Sequence, residues 1–400
     1  MTRRTTGAAS PRLLSHFVFV VVFVMILFVL TRCLGHAAVQ QPPQNDLTVH
    51  EWGTFTSIAD PNGSAMDWLP LSGSTDLPSF VEHFRDVAFK GGLRGTVRME
   101  TPVLYFYSPQ ETTVSVEVSF PKGLITEWYP HSDSANSGLA SKDYALVMMK
   151  RPGGISWPSV HILPHAASDF PTGSSQNHYY AARQTSSAPI EVTTPAGTQR
   201  EKFLFYRGVA AFSPPITATA SADNTVSLQN DSSDPIPNLI LFERRGAQLG
   251  YRVLGPLRDQ ASLAPPVLDG SLESLYSTLE SILISEGLYP DEAHAMLETW
   301  KSSWFEEGSR LIYIVPRAFV DSVLPLHIYP APTNTTRVFL GRLELVTPLT
   351  QRAVESAFLH GDRATLAKYG RFLEAIVAFM IQQTDDEKRQ DQLFRYLSAF

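Results

Sequence analysis

Thr113–Phe120 reads TVSVEVSF, and this stretch sets the fold class. Val114, Val116, Val118 and Phe120 fall on one side of an extended chain. Thr113, Ser115, Glu117 and Ser119 fall on the other. Successive side chains of a strand point to opposite faces, so the alternation predicts a strand with one face in a core and one in water. That is the signature of an antiparallel sheet with a solvated outer face.

Outward from it, Thr101–Tyr107 (TPVLYFY) and Lys202–Tyr206 (KFLFY) are apolar on both faces and read as central strands. Leu124–Tyr129, Ser159–Leu163, Ile216–Ala220, Thr225–Gln229, Leu239–Glu243 and Tyr251–Leu254 supply further strands. Turn-rich stretches, Ser132–Ser141 and Ser186–Gly197 among them, lie between. Many short strands joined by such turns predict a sandwich or barrel. No fixed-period repeat is visible.

The period then changes. Leu272, Leu275, Leu279, Ile282 and Leu283 recur at helical spacing, and Gly287 stops that helix. A second helix starts near Pro290, with Asp291 and Glu292 complementing its dipole. Ala293, Met296, Leu297, Trp300 and Trp304 form its stripe, and Gly308 ends it. Strands return at Arg310–Val315, Leu324–Tyr329 and Arg337–Val346. Thr347-Pro348 reads as an N-cap and first-turn proline of a helix running to His360. A last helix carries Leu366, Tyr369, Leu373, Ile376 and Met380. The sum is a β-rich α+β fold. An antiparallel β-sandwich-like body spans 45–262, an inserted helical hairpin 270–308, strands returning to the body 309–347, and a C-terminal helical tail 348–400.

The N-terminus reads as a targeting segment. Arg3, Arg4 and Arg12 precede the unbroken apolar run Phe17–Leu30, and small residues follow at Gly35, Ala37 and Ala38. That order predicts a secretory signal over 1–37, cleaved after Gly35-His36-Ala37. As a helix the run spans roughly 21 Å, short of the ~30 Å bilayer core. With Leu13, Leu14 and Leu34 it can instead hold the chain in the inner membrane through residues 13–34. Thr31-Arg32 before Cys33 is a poor lipobox, and threonines follow Arg3-Arg4 where a twin-arginine signal would continue differently. The protein is expected in the periplasm or outside the cell, with no membrane contact except through this segment.

Cys33 is the only cysteine among 400 residues. A disulfide within the chain, a Cys-ligated zinc site and a catalytic thiol in the body are thereby excluded. The formal charge is −7. Removal of 1–37 leaves 28 basic against 39 acidic side chains, a net charge of −11. An acidic chain without a basic stripe is not built for nucleic acid.

Complete catalytic motifs are absent: GxGxxG, GxxxxGK[ST], GxSxG and HExxH do not occur, and no complete motif implies a cofactor. The most distinctive polar segment is Val49–Ser57, VHEWGTFTS. As a strand it places His50, Trp52 and Thr54 on one face and Glu51, Gly53 and Phe55 on the other, so His50 and Glu51 point apart. A bulge at Gly53 would change that. Functionally, His50, Glu51 and Glu127 are candidate catalytic groups. His50, His83 and Glu100 are metal ligands if they converge, and His131 is a further partner. Glu51 and Glu127 form a carboxylate couple if the fold brings them together. Trp52, Trp128 and His178 are candidate binding residues, with Trp157 and Tyr179 as further stacking surfaces. The alternative is an edge strand with a satisfied histidine and a salt-bridged carboxylate, the tryptophans packing a core. Trp300 and Trp304, at helical spacing, read as core.

Several segments together resemble an uncharacterised family of exported bacterial proteins. They are Val49–Ser57 (VHEWGTFTS), Met99–Tyr107 (METPVLYFY), Leu124–Pro130 (LITEWYP), Phe203–Gly208 (FLFYRG), Gly287–Arg310 (GLYPDEAHAMLETWKSSWFEEGSR) and Arg337–Glu344 (RVFLGRLE). They cover most of the chain from Leu47 to Pro348. The resemblance implies bacterial origin and export and transfers no site residue. Two functions follow as expectations. One is a non-enzymatic β-rich envelope or secreted protein that binds a glycan, a polymer or a protein partner. The other is an exported hydrolase, metal-assisted or carboxylate-based, centred on His50 and Glu51.

Overall fold

Valines 114, 116 and 118 and Phe120 are buried and Glu117 is exposed, so the strand that holds them alternates as its sequence does. The computed structural model describes residues 46–71, 77–84, 93–136, 153–167, 169–173, 177–195 and 197–398. The expected export segment and the linker after it lie outside these residues, as do 137–141 of the serine-rich turn.

The strands are β1 (Thr48–Ile58), β2 (Glu82–His83), β3 (Val97–Tyr107), β4 (Thr112–Phe120), β5 (Gly123–Tyr129), β6 (Gly153–Ile162), β7 (Ile190–Thr194), β8 (Gly197–Glu201) and β9 (Leu204–Ala210). They continue as β10 (Ile216–Ala220), β11 (Val226–Asn230), β12 (Leu239–Arg245), β13 (Gln248–Leu254), β14 (Gln260–Leu263), β15 (Gly308–Ile314), β16 (Leu326–Tyr329) and β17 (Asn334–Leu345). The helices are α1 (Leu272–Ser285), α2 (Pro290–Trp300), α3 (Arg317–Val323), α4 (Pro348–His360), α5 (Arg363–Ala367), α6 (Leu373–Gln382) and α7 (Glu387–Ser398).

Three sheets result among the described residues. The largest has nine strands in the order β13-β12-β15-β17-β1-β3-β9-β5-β2. The others are β16-β4-β6-β7-β8 and β10-β11-β14. Among the described residues the pair β1–β17 is parallel and every other named strand pair antiparallel. β1 is therefore not an edge strand: it is the middle strand of the nine.

The layers follow from the faces. Val49 and Phe55 of β1, Leu104 and Phe106 of β3, Leu204 of β9 and Phe339 of β17 form one core with Val116 of β4, Trp157 of β6 and Leu228 of β11. This is the sandwich interior, between the large sheet and the two small ones. The opposite face of the large sheet carries Trp52, Val103, Tyr105, Phe205 and Val338, against Leu275, Leu279, Leu283, Met296 and Trp300 of the hairpin α1–α2. A third core joins Ile58, Trp68 and Val346 to α4 and α6 through Val354, Ile376 and Val377. The small sheets keep the half-wet pattern; the inner strands of the large sheet are covered on both sides and lose the alternation, while its edge strands β13 and β2 stay partly exposed. No helix among the described residues is long and apolar enough to cross a membrane.

Capping sets the helix ends. Ser271 caps α1 by accepting the Ser274 amide, and Thr347 caps α4 by accepting that of Thr350. Gly287 (φ +108°) and Gly361 (φ +68°) close the two helices in left-handed conformations. Elsewhere the boundaries differ from expectation. α2 stops at Trp300 rather than running to Gly308, which opens β15 instead. The tail helix is broken into α5, a 3-10 turn at Gly370–Phe372 and α6, with Gly370 at φ +47°. β7 and the start of β8 occupy the stretch read as turns. The short α3 follows Pro316, in a segment with no helical stripe to announce it.

Gly53 answers to packing. A Cβ there would lie 2.7 Å from the Phe339 ring of the parallel neighbour, closer than carbon atoms approach. Opposite it β3 carries an extra residue. The bulge leaves Thr101 buried at φ +41°, a conformation that costs on the order of 1–3 kcal/mol for a β-branched side chain.

Candidate functional site

His50 and Glu51 point to opposite faces of β1, and each meets partners far away in sequence. His50 faces the hairpin. Its Nδ1 lies 2.8 Å from Oε2 of Glu292, a fully buried residue in the first turn of α2. The Tyr107 hydroxyl donates to the other carboxylate oxygen at 2.8 Å, and the Tyr289 amide donates to Oε2 at 2.8 Å. The rings of Tyr289 and Tyr107 pack 4.5 and 5.4 Å from the imidazole. With the carboxylate as acceptor, Nδ1 carries the proton of this bond. Burial, then Glu292, pushes the Tyr107 phenol up. Tyr107 also lines a cleft of about 280 Å³ together with Asp46, Thr48, Ser108 and Ser186. A carboxylate holding an imidazole in one tautomer beside a cleft is the orienting half of a general-base arrangement.

Glu51 faces the sandwich interior. It accepts from Arg337 Nε at 2.5 Å and from the Tyr206 hydroxyl, and all three side chains are buried. Arg337 stands beside Glu51 in the parallel register, and its Nη1 reaches Asp321 at 2.7 Å. Burial lowers the guanidinium pKa, but Glu51 more than offsets this and holds it above its ordinary value. Burial, then Glu51, raises the Tyr206 phenol. Both oxygens of Glu51 are thus committed to donors away from solvent.

Glu127 accepts from Arg98 Nη2 at 2.9 and 3.1 Å and also from the Thr126 hydroxyl. Burial raises its pKa, but Arg98 and Arg207 outweigh that, so it sits below the usual carboxylate range. Its register partner is Arg207, whose neighbour Tyr206 faces Glu51. Glu51 and Glu127 therefore lie on opposite faces of the sheet, three strands or about 14 Å apart. They do not form a carboxylate couple.

The proposed metal set does not assemble. His50 is held by Glu292. Glu100 accepts from Thr56 Oγ1 at 2.8 Å and pairs with Arg371. His83 lies exposed on the edge strand β2, four strands or roughly 19 Å from β1. Glu100 stands opposite Thr54, about 13 Å along the sheet from His50. Among the described residues no group of three or more His, Cys, Asp or Glu is placed to hold a metal ion. His131 joins Glu82 and Asp133 instead, at 2.7 and 2.8 Å.

The aromatic candidates are packed inside. Trp52 is fully buried under the hairpin and Trp128 is buried in the sandwich interior. Trp157 and Tyr179 are buried as well. His178, half-buried in a 3-10 turn (His178–Arg183), lies 5.7 Å from the Trp300 ring. Trp300 and Trp304 stack at 6.3 Å within 9° of parallel. Beside them runs a buried charge network. Arg342 donates to Glu344 at 2.6 Å and to Glu306 at 3.1 Å, and Arg310 pairs with Glu344 at 2.8 Å. Arg310 also donates to the carbonyls of Trp304, Glu306 and Glu307.

Sequence reasoning missed Glu292, Arg337 and Arg98. Glu292 carried a signal, its place in the first turn of a helix, but that signal named the dipole and not the histidine. No protein-family model and no curated protein matches the chain. Among solved structures the chain is similar to a yeast delta-COP-I mu-homology domain complexed with a Dsl1 WxWxV peptide. The identity is 8% over 76% of this chain and 98% of that one, with a TM-score of 0.27, too low for any argument to rest on it.

Proposed function

We propose that the protein is an exported, β-rich binding protein that catalyses no reaction of its own, its ligand a glycan, a polymer or a protein partner. The observation that carries this reading is Glu51. The most distinctive carboxylate of the sequence is sealed in the sandwich interior against Arg337 and Tyr206, so a base there would have to break a buried ion pair to act. Glu127 and Glu100 are committed to Arg98 and Arg371 in the same way. The resemblance to exported bacterial proteins and the basic-apolar-small order of the first 38 residues support export.

A second reading, a hydrolase centred on His50, is favoured by one observation, the Glu292–His50 pair beside the Tyr107 cleft. One experiment separates the two. Protein purified from its producing cells is offered chromogenic esters, phosphoesters, glycosides and amides. No turnover above buffer is expected. Turnover that disappears in His50→Gln would overturn the binding reading. Fractionation of the same cells tests export, and N-terminal sequencing of the product locates any cleavage.

A further inference from the structure

Strand alternation assigns the outer face of the sheet β16-β4-β6-β7-β8. On β16, Leu326 and Ile328 pack against the sandwich interior, so His327 and Tyr329 point outward. On β4, Ser115, Glu117 and Ser119 alternate with core residues and face the same way, as Gly154 and Ser156 do on either side of Ile155 in β6. The register sets them in rows. Tyr329 stands opposite Ser115, and His327 opposite Glu117. Glu117 stands in turn opposite Ser156, and Ser119 opposite Gly154. The Tyr329 side chain is 78% exposed, more than any other large hydrophobic side chain among the described residues. A cleft of about 200 Å³ opens at the other end of these rows, its lining including Glu117, Ser119, Ser134, Gly154 and Ser156.

The cleft is a fixed polar frame. Ser134, from the loop after β5, donates to the Ser156 carbonyl at 2.9 Å. It accepts from the Ser156 amide at 2.6 Å and from the Ser156 hydroxyl at 2.8 Å. The Glu117 carboxylate and the Ser119 hydroxyl have no hydrogen-bond partner among the described residues. Elsewhere on the face Glu191 is paired with Arg200 at 2.7 Å, so Glu117 is the carboxylate left without a cation, and the charge favours a positive guest. Ser115 and Ser119 lie four residues apart on one strand, about 13 Å, so the ring and the cleft together fit an extended chain. A peptide strand would add along the free edge of β16, but Pro325 and Pro330 bracket that edge. A sugar chain needs no strand edge. Its rings offer an apolar face to an aromatic side chain and hydroxyls to a row of serines.

We propose that this face binds a glycan that carries free amines, one sugar ring stacked on Tyr329 and the ammonium of a further sugar on Glu117 at the cleft. The proposal rests on the binding-protein reading and names its ligand as an amino-sugar chain.

The test is calorimetric titration of the full chain with the β-1,4-linked tetramer of glucosamine, its fully N-acetylated form, and tetralysine. The free-amine tetramer is expected to bind saturably, acetylation or Glu117→Gln weakening it by about tenfold or more, as loss of a charged hydrogen bond does. Tyr329→Ala is expected to weaken both tetramers by about threefold or more, as loss of a stacked ring does. Both side chains are exposed, so neither variant should disturb folding. No saturable binding of the glucosamine tetramer, or binding unchanged in both variants, would overturn the proposal. Equal binding of the acetylated tetramer would overturn its amine half, and tetralysine binding as tightly would overturn its sugar half. Turnover in the substrate panel would sink the binding-protein reading without touching these titrations, so the two failures are told apart.

Discussion

Glu51 and Glu100 sit on adjacent strands, both inaccessible and both paired with arginine, yet they join different parts of the molecule. Glu51 meets Arg337 within the sheet, side by side in the parallel β1–β17 register, surrounded by the apolar sandwich interior. Glu100 meets Arg371, which comes from the 3-10 turn of the C-terminal helices, and it lies in a field of further arginines. The first pair joins two strands that are distant in sequence at the centre of the sheet. The second clamps one layer onto another. The difference teaches that a buried ion pair takes its role from what surrounds it. In an apolar core, loss of one partner strands the other. In a network, neighbours absorb part of the loss.

The largest expected effect comes from breaking the first pair. Glu51→Ala leaves the buried Arg337 with the half-exposed Asp321 as its remaining carboxylate and should cost about 3 kcal/mol in urea unfolding, the low end for a broken buried pair. Replacing both residues together, Glu51→Met with Arg337→Met, should recover most of that loss, because an apolar pair of similar volume is often neutral. A single-variant loss under about 1 kcal/mol would show that the pair does not hold the centre of the sheet.

Arg371→Met should cost less, about 1.5–3 kcal/mol, the range for a lost charged hydrogen bond. Its sharper signature is acid sensitivity. Burial alone would raise the Glu100 pKa, but Arg371, with Arg342 and Arg207, holds it below its ordinary value. Glu127 and Glu344 are lowered by their own arginines. A lowered carboxyl contributes stability above its unfolded value, near 4.3, and loses it as the pH falls through the folded value. Without Arg371 that protection goes, so the acid-unfolding midpoint of the variant should move to higher pH. An unchanged midpoint would remove Arg371 from the clamp.

How much of this was legible depended on which faces water touches. β4 could be read because one face is wet, and its valines alternate with polar residues. β1 read as a strand, and the divergence of His50 and Glu51 followed from its period. Its central place did not follow, because a strand buried on both faces with polar residues inside looks from sequence like an edge strand. The partners were out of reach for the same reason: Glu292 lies 242 residues from His50, and Arg337 lies 286 from Glu51. Local periodicity carries no information on such pairings. Sheet order, equally silent in the sequence, is what separates His83 and Glu100 from His50.

Gly53→Ala tests how tightly the same strand pair fits. The new methyl meets the Phe339 ring, and overpacking of this kind should cost about 1–2 kcal/mol. Phe339→Leu in the Gly53→Ala background should return part of that loss. A double variant no more stable than Gly53→Ala would place the constraint in the backbone opposite the Thr101 bulge instead.

The smallest effect separates the edge of the large sheet from its centre. His131 donates from both ring nitrogens, to Glu82 on β2 and to Asp133 in the following loop. Two carboxylates accept only, so the ring that bridges them is the cation. Its backbone amide donates to Gln199 of β8, which ties the edge of the five-stranded sheet to the same point. Burial lowers the imidazole pKa, but Asp133 and Glu82 outweigh it and raise the value above the ordinary 6.5. A raised value means that the contribution is fully present below the unfolded pKa and is lost as the pH rises through the folded one. The pair is partly exposed, so the change should be at most about 1 kcal/mol and smaller still in high salt. Amide exchange at Val81–Phe84 should quicken between about pH 5.5 and about pH 8.5 beyond the intrinsic increase, and His131→Gln should abolish that excess. The interior strand β1, held by Glu51 and Arg337, should show no such excess over the same range. Equal excesses in β1 and β2 would mean that the edge and the centre open as one unit.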